Sequence, residues 1–109
     1  MKLIDELQKQ IDELQKQIEE EIEDATKYAK KAVEYKSFYP ETAELYFKLS
    51  GEEQGHFTAL HKEVVRLIEK YRREKGEPPA EIMAIYNYLH QREIEKAEKV
   101  GVLQAMYKR

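Results

Sequence analysis

The sequence predicts an all-α chain of three helices, the first two folded into a long antiparallel hairpin. Three observations support this. Apolar residues recur at helical spacing along most of the chain, break signals are confined to Ser37–Glu41 and Lys75–Pro79, and no segment shows the alternation and tight turns of strands. Of the 109 residues, 41% are hydrophobic and 38% charged, with four glycines and three prolines, a balance that favours a folded chain. This length suits one domain with a core modest enough for dimerisation to help.

The first helix is expected from about Lys2 to Phe38. It opens on a heptad, Ile4–Gln10, copied verbatim as Ile11–Gln17; such a copy marks a duplication, natural or engineered. Ile4, Leu7, Ile11, Leu14 and Ile18 form its apolar stripe, and the same register continues through Glu21, Ala25, Tyr28, Ala32 and Tyr35. Glu21 is the single charge on that line. Two heptads are marginal as an isolated coiled coil, so residues 1–19 read as an extension packing on their own chain or on a partner protomer.

Pro40 suits the first turn of the second helix, with Glu41 and Glu44 near its positive end. That helix is expected from about Pro40 to Arg73. Its stripe runs Leu45/Tyr46, Leu49, Glu53, His56, Leu60, Val64, Leu67 and Tyr71, so Glu53 and His56 interrupt an apolar seam. Gly51 and Gly55 beside them point to crowding by a neighbouring helix. Residues 20–73 thus form the hairpin, and residues 74–109 a linker plus third helix. Gly76, Pro78 and Pro79 mark the boundary, and the third helix is expected from about Pro79 to Tyr107. Its seam is Ile82, Ile85/Tyr86, Leu89, Glu93, Ala97, Val100, Leu103 and Tyr107.

The composition excludes several function classes. A net charge of −3 with interspersed lysines and glutamates leaves no nucleic-acid footprint. No cysteine is present, which rules out disulfides, thiolate zinc sites and iron–sulfur clusters. The N-terminus has no apolar h-region and no stretch is long enough to span a bilayer, so a cytoplasmic protein is expected. Neither a Ser/His/Asp set nor a Gly-rich phosphate loop is apparent.

The chemistry-bearing residues are Glu21, Glu53 and His56. Glu53 and His56 are three apart on a helix and project from one face. Glu21 lies about 27 Å from the turn near Tyr39, and Glu53 and His56 about 21 and 26 Å along the other arm, at about 1.5 Å per residue. Two carboxylates and an imidazole at one level of an apolar seam are either hydrogen-bonded to neighbours or ligands of a metal. Hard oxygen with imidazole suits iron or manganese, with zinc as a further candidate. Glu93, also on a seam, reads as a buried salt bridge before a further ligand. His90 reads as a partly buried histidine, His61 as a surface one, and Glu20 and Glu23 as either solvated or bonded to the ligands from behind. Tyr28 is placed to hydrogen-bond a ligand carboxylate.

These residues resemble the ferritin-like di-iron proteins, particularly rubrerythrin-type and encapsulated-ferritin-type chains. The resemblance covers about Glu20 to Tyr71. Glu21-Ile22-Glu23-Asp24-Ala25-Thr26-Lys27-Tyr28 is similar to the family's glutamate followed by a small residue and a tyrosine. Leu49-Ser50-Gly51-Glu52-Glu53-Gln54-Gly55-His56 looks like its acidic Glu-x-x-His stretch. A single-chain member carries two such motifs on four helices, whereas the third helix here has the reverse order, His90-Gln91-Arg92-Glu93. The resemblance therefore implies a homodimer that completes a four-helix bundle, with Glu21, Glu53 and His56 of both protomers around two metals. It further implies ferroxidase, oxidant-detoxifying or iron-storage activity on Fe(II). The competing expectation is a metal-free helical oligomerisation module, its heptads and tyrosine seams serving assembly.

Overall fold

The computed structural model describes the backbone from Leu3 and side chains from Asp5 to Arg109. Lys2, expected to open the first helix, and the side chain of Ile4 lie outside the described residues. All regular structure among the described residues is helical: α1 (Leu3–Tyr35), α2 (Pro40–Lys75) and α3 (Ala80–Lys108). α1 stops three residues short of the expected Phe38. Pro40 disfavours helical backbone at Tyr39, which adopts φ −136°, and the Phe38 and Tyr39 amides donate to the Tyr35 carbonyl instead. Pro40 then opens α2, where the Ala43 N–H donates to the Tyr39 carbonyl. α2 ends at Gly76, whose φ of 87° only glycine adopts without strain and whose N–H donates to the Arg72 carbonyl. Arg72, Arg73 and Lys75 favour the negative end of that helix, and Arg72 also pairs with Glu69 and Glu77.

α1 and α2 pair in reverse order. Tyr28 stacks on Tyr46, the Ser50 hydroxyl donates to the Ala25 carbonyl, and Leu7 shares a cleft with Leu67 and Tyr71. The heptad extension thus packs on the far end of its own chain's α2. α3 returns alongside α1, so that Gln104 donates to the Ser50 hydroxyl and Lys36 reaches the Arg109 carbonyl. The rod measures 55 × 19 × 18 Å. α1 is the central helix: α2 and α3 both pack on it, and they meet each other through large side chains, Phe47 on Tyr107 and His61 on His90.

This three-way packing turns the buried rows of α1 and α2 part-way from the expected seams, while α3 buries residues of its expected seam. On α1 the buried line runs Leu7, Ile11, Gln15, Ile18, Ile22, Ala25, Ala29 and Ala32, which leaves Leu14, Glu21, Tyr28 and Tyr35 half-buried at its edge. α3 covers the flank of α1 that carries Gln15 and Ile22, so Gln15, Ile22 and Ala29 take the places of Leu14, Glu21 and Tyr28. On α2 the deepest row is Ala43, Ser50, Phe57 and Val64 at heptad spacing, not the line through Glu53 and His56. Leu45, expected in the seam, is 55% exposed. α3 buries Tyr86, Glu93 and Val100, again seven apart. The expected crowding at Gly51 and Gly55 is not found: a Cβ added at either meets no atom within 4 Å. The close approach lies instead at Ala25, Ala29, Ala32, Ala43 and Ser50, all fully buried, where small side chains let α1 and α2 come together.

Candidate metal centre

Antiparallel pairing brings Glu21 of α1 level with Glu53 and His56 of α2. The His56 Nδ1 lies 3.5 Å from Glu21 Oε2 and 3.6 Å from Glu53 Oε1. One ligand atom from each of the three lies within 4.8 Å of the others. Their placement is at the hairpin's edge, not its centre. The glutamate side chains are 21% and 19% exposed, and the imidazole is 60% exposed, so the expected burial of His56 in the seam is corrected. His56 comes one residue before Phe57 of the buried row, about 100° of helix rotation away, which turns it outward. Glu20 and Glu23 are exposed, which fits the solvated alternative.

Two observations fit this cluster to a cation. The Nδ1–carboxylate separations exceed hydrogen-bond length, yet the three ligand atoms stay close enough together to share one ion. In addition, Glu53 Oε2 is buried and accepts no hydrogen bond. A buried carboxylate oxygen without a donor is costly, and a metal ion removes that cost. Two carboxylates and one imidazole leave further coordination positions open towards solvent. Tyr28 makes no hydrogen bond to Glu21 among the described residues; its ring stacks on Tyr46 at 6.0 Å.

A second polar cluster was only half visible in the sequence. Glu93 is buried at 5% exposure, and its carboxyl is raised to about 7 by burial first, then by the nearby Glu19, with Lys96 opposing. Its partner is not the expected salt bridge but the buried Gln15, whose amide nitrogen, turned towards it, donates to both carboxylate oxygens. His61, expected at the surface, stacks face to face on His90 at 4.3 Å and 3°. Burial and then His90 hold the His61 imidazole below its usual range. His90 packs in turn on Tyr86, and its Nδ1 is buried without a partner. Ile18, Phe57, His61, His90, Glu93 and Ile94 line a cleft of about 150 Å³ between the helices. The heptad spacing of Tyr86, Glu93 and Val100 was the sequence signal for this layer. Gln15, one residue off the predicted stripe, had none.

No helix among the described residues is long and apolar enough to cross a membrane. No protein-family model, curated protein or solved structure matches this chain.

Proposed function

We propose that this chain is a ferritin-like metal-binding protein whose Glu21, Glu53 and His56 hold iron in a site shared by two copies. The observation that carries this reading is the convergence of those three donors from two helices, with the second Glu53 oxygen, Oε2, buried and unpartnered. A bundle di-metal site takes one Glu from each of two helices and a Glu-x-x-His from each of two others. α1 and α2 carry one of each, so two copies related by a two-fold axis supply the whole set. The edge position suits that arrangement, because an outward His56 can face a second copy while a centrally buried one cannot. Leu45 lies exposed on the same flank of α2, half-buried Leu49 beside it, and gives the second copy apolar surface to cover.

Iron is both occupant and substrate of such a site: Fe(II) enters and leaves oxidised, in an iron-storage or oxidant-detoxifying role. The chain's own part is to hold it. Glu21 and Glu53 offset its charge, and His56 supplies the nitrogen donor. Manganese and zinc fit the same donors. Anaerobic Fe(II) titration tests the reading: about one iron per chain is expected, from two per two-chain bundle. Glu53→Ala and His56→Ala abolish it. Unchanged uptake by the double variant would sink the proposal.

The second reading is a metal-free helical interaction module. It is favoured by the apolar residues that α3 exposes, Ile85, Tyr88, Val102 and Met106. There the His56 imidazole simply bridges the two carboxylates, and chelators leave the melting temperature unchanged.

A further inference from the structure

Four of the eight tyrosines form one unbroken aromatic chain that starts above the carboxylate–histidine cluster and ends in solvent. Tyr28 stacks on Tyr46 at 6.0 Å and 25°, Tyr46 on Tyr35 at 6.0 Å and 30°, and Tyr35 meets Tyr39 edge-on at 5.9 Å. The chain zigzags between α1 and α2 and stops at Tyr39, which is 62% exposed. Its inner pair is in register with the site on both arms: Tyr28 stands one heptad from Glu21 and Tyr46 one heptad from Glu53, about 10 Å along each helix. We propose that Tyr28, Tyr46, Tyr35 and Tyr39 form a one-electron relay that carries oxidising equivalents from the metal site to the hairpin end.

Packing alone accounts for stacked rings, but not for this arrangement of them. Aliphatic side chains dominate the lower half of the same hairpin, with Leu7, Ile11, Ile18, Val64 and Leu67 around the separate rings of Phe57 and Tyr71. Of the hairpin's five tyrosines, Tyr71 stands apart in the lower half, and the other four lie between the cluster and the nearest chain turn, each ring within about 6 Å of the next. Tyr28, Tyr35 and Tyr46 are half-buried, so their hydroxyls can exchange protons with solvent. Lys27 and Lys31 sit over the Tyr28 and Tyr35 rings, 5.0 and 5.6 Å from their centres. These ammonium groups oppose a ring cation. They do not oppose a neutral phenoxyl, so electron and proton must leave together.

The relay rests on the metal-site reading above, with Fe(II) as reductant and a peroxide as oxidant. Reduction of one peroxide to two waters takes two electrons and two protons. Where only one of the two metal positions is filled, its Fe(II) supplies a single electron and becomes Fe(III), whereas two would supply both and leave nothing to relay. A tyrosine of the inner pair gives the second electron with its phenolic proton, the other proton coming from solvent. The resulting phenoxyl is refilled by an electron and a proton from the next ring outward, until the radical resides on Tyr39. There a soluble donor such as ascorbate restores the phenol; without one, Tyr39 phenoxyls of two molecules couple through ring carbons to dityrosine. The function is protective: an unmatched oxidising equivalent is led away from the ligands Glu21, Glu53 and His56.

Tyr88 provides an internal control. It is 63% exposed, as open as Tyr39, but no aromatic chain joins it to the cluster. The full-length protein is loaded anaerobically with one Fe(II) per two chains, bound iron is measured, hydrogen peroxide equal to the bound iron is added without ascorbate, and oxidised tyrosines are quantified by peptide mass spectrometry. Tyr39 is expected to be modified several-fold more than Tyr88. Tyr46→Phe, which removes one hydroxyl and keeps the stacked ring, lowers Tyr39 modification to the level of Tyr88. Equal modification of Tyr39 and Tyr88 in iron-loaded protein, or Tyr39 modification that survives Tyr46→Phe, overturns the relay alone. Failure to bind iron overturns the metal-site reading and the relay with it.

Discussion

Glu53 and Glu93 show two ways a carboxylate can be kept in a helical core. Glu53 is partly exposed, but one of its oxygens is buried with no donor. Glu93 is buried more deeply, with Gln15 as its amide donor, and retains its proton up to about pH 7. Because burial raises the folded-state value above the ordinary 4.5, protonation stabilises the fold. That contribution is complete below pH 4.5 and is lost as pH rises to about 7, on the order of 2–3 kcal/mol across the window. Glu93→Gln removes the charge and keeps the shape, so its unfolding free energy in urea should fall far less between pH 5 and 8 than that of the parent protein. At Glu53 the expected response is to metal. At 100 times its dissociation constant an ion stabilises the fold by about 2.7 kcal/mol. Fe(II) or Mn(II) should therefore raise the melting temperature, and His56→Ala should remove the rise.

At the scale of elements, the α1–α2 contact depends on a row of small residues with one hydroxyl in it. Ser50 donates to the Ala25 carbonyl at 2.8 Å and accepts from Gln104 at 3.0 Å, so it joins all three helices. Ser50→Ala leaves the Gln104 amide without that partner and should cost about 1–2 kcal/mol in chemical denaturation. Gly51 and Gly55 should behave in the opposite way. Both sit inside α2 with open space where a Cβ would stand, so alanine at either should stabilise by roughly 0.5–1 kcal/mol. A loss at Gly55 instead would show that another surface approaches there in solution.

For the whole molecule, the heptad extension holds down the far end of α2. Leu7 and Ile11 belong to the same core as Leu67 and Ile68. Removing residues 1–17 uncovers that row, and the truncated chain should melt well below the full-length one. If the dimer forms through the flank carrying His56 and Leu45, light scattering should show Leu45→Lys as a monomer, while the truncation, though less stable, still pairs.

The number of helices and the breaks between them were legible, with ends to within three residues, because they are local properties. Pro40 bars helix at Tyr39, Gly76 supplies a positive φ, and apolar periodicity needs nothing beyond neighbouring residues. The Glu53–His56 pair was legible for the same reason, since three residues of helix place both side chains on one face. What the tertiary structure decided is the rotation of α1 and α2 about their axes. On α1 the expected and buried lines share Ile11, Ile18, Ala25 and Ala32 and differ by one residue at the positions between, which turns the centre of burial by about 50°, and α3 packing on α1 selected the second. That choice moved Glu21, Glu53 and His56 from the centre to the edge. It also placed Gln15 against Glu93 and laid His61 on His90, contacts between residues far apart in the chain that no periodicity encodes.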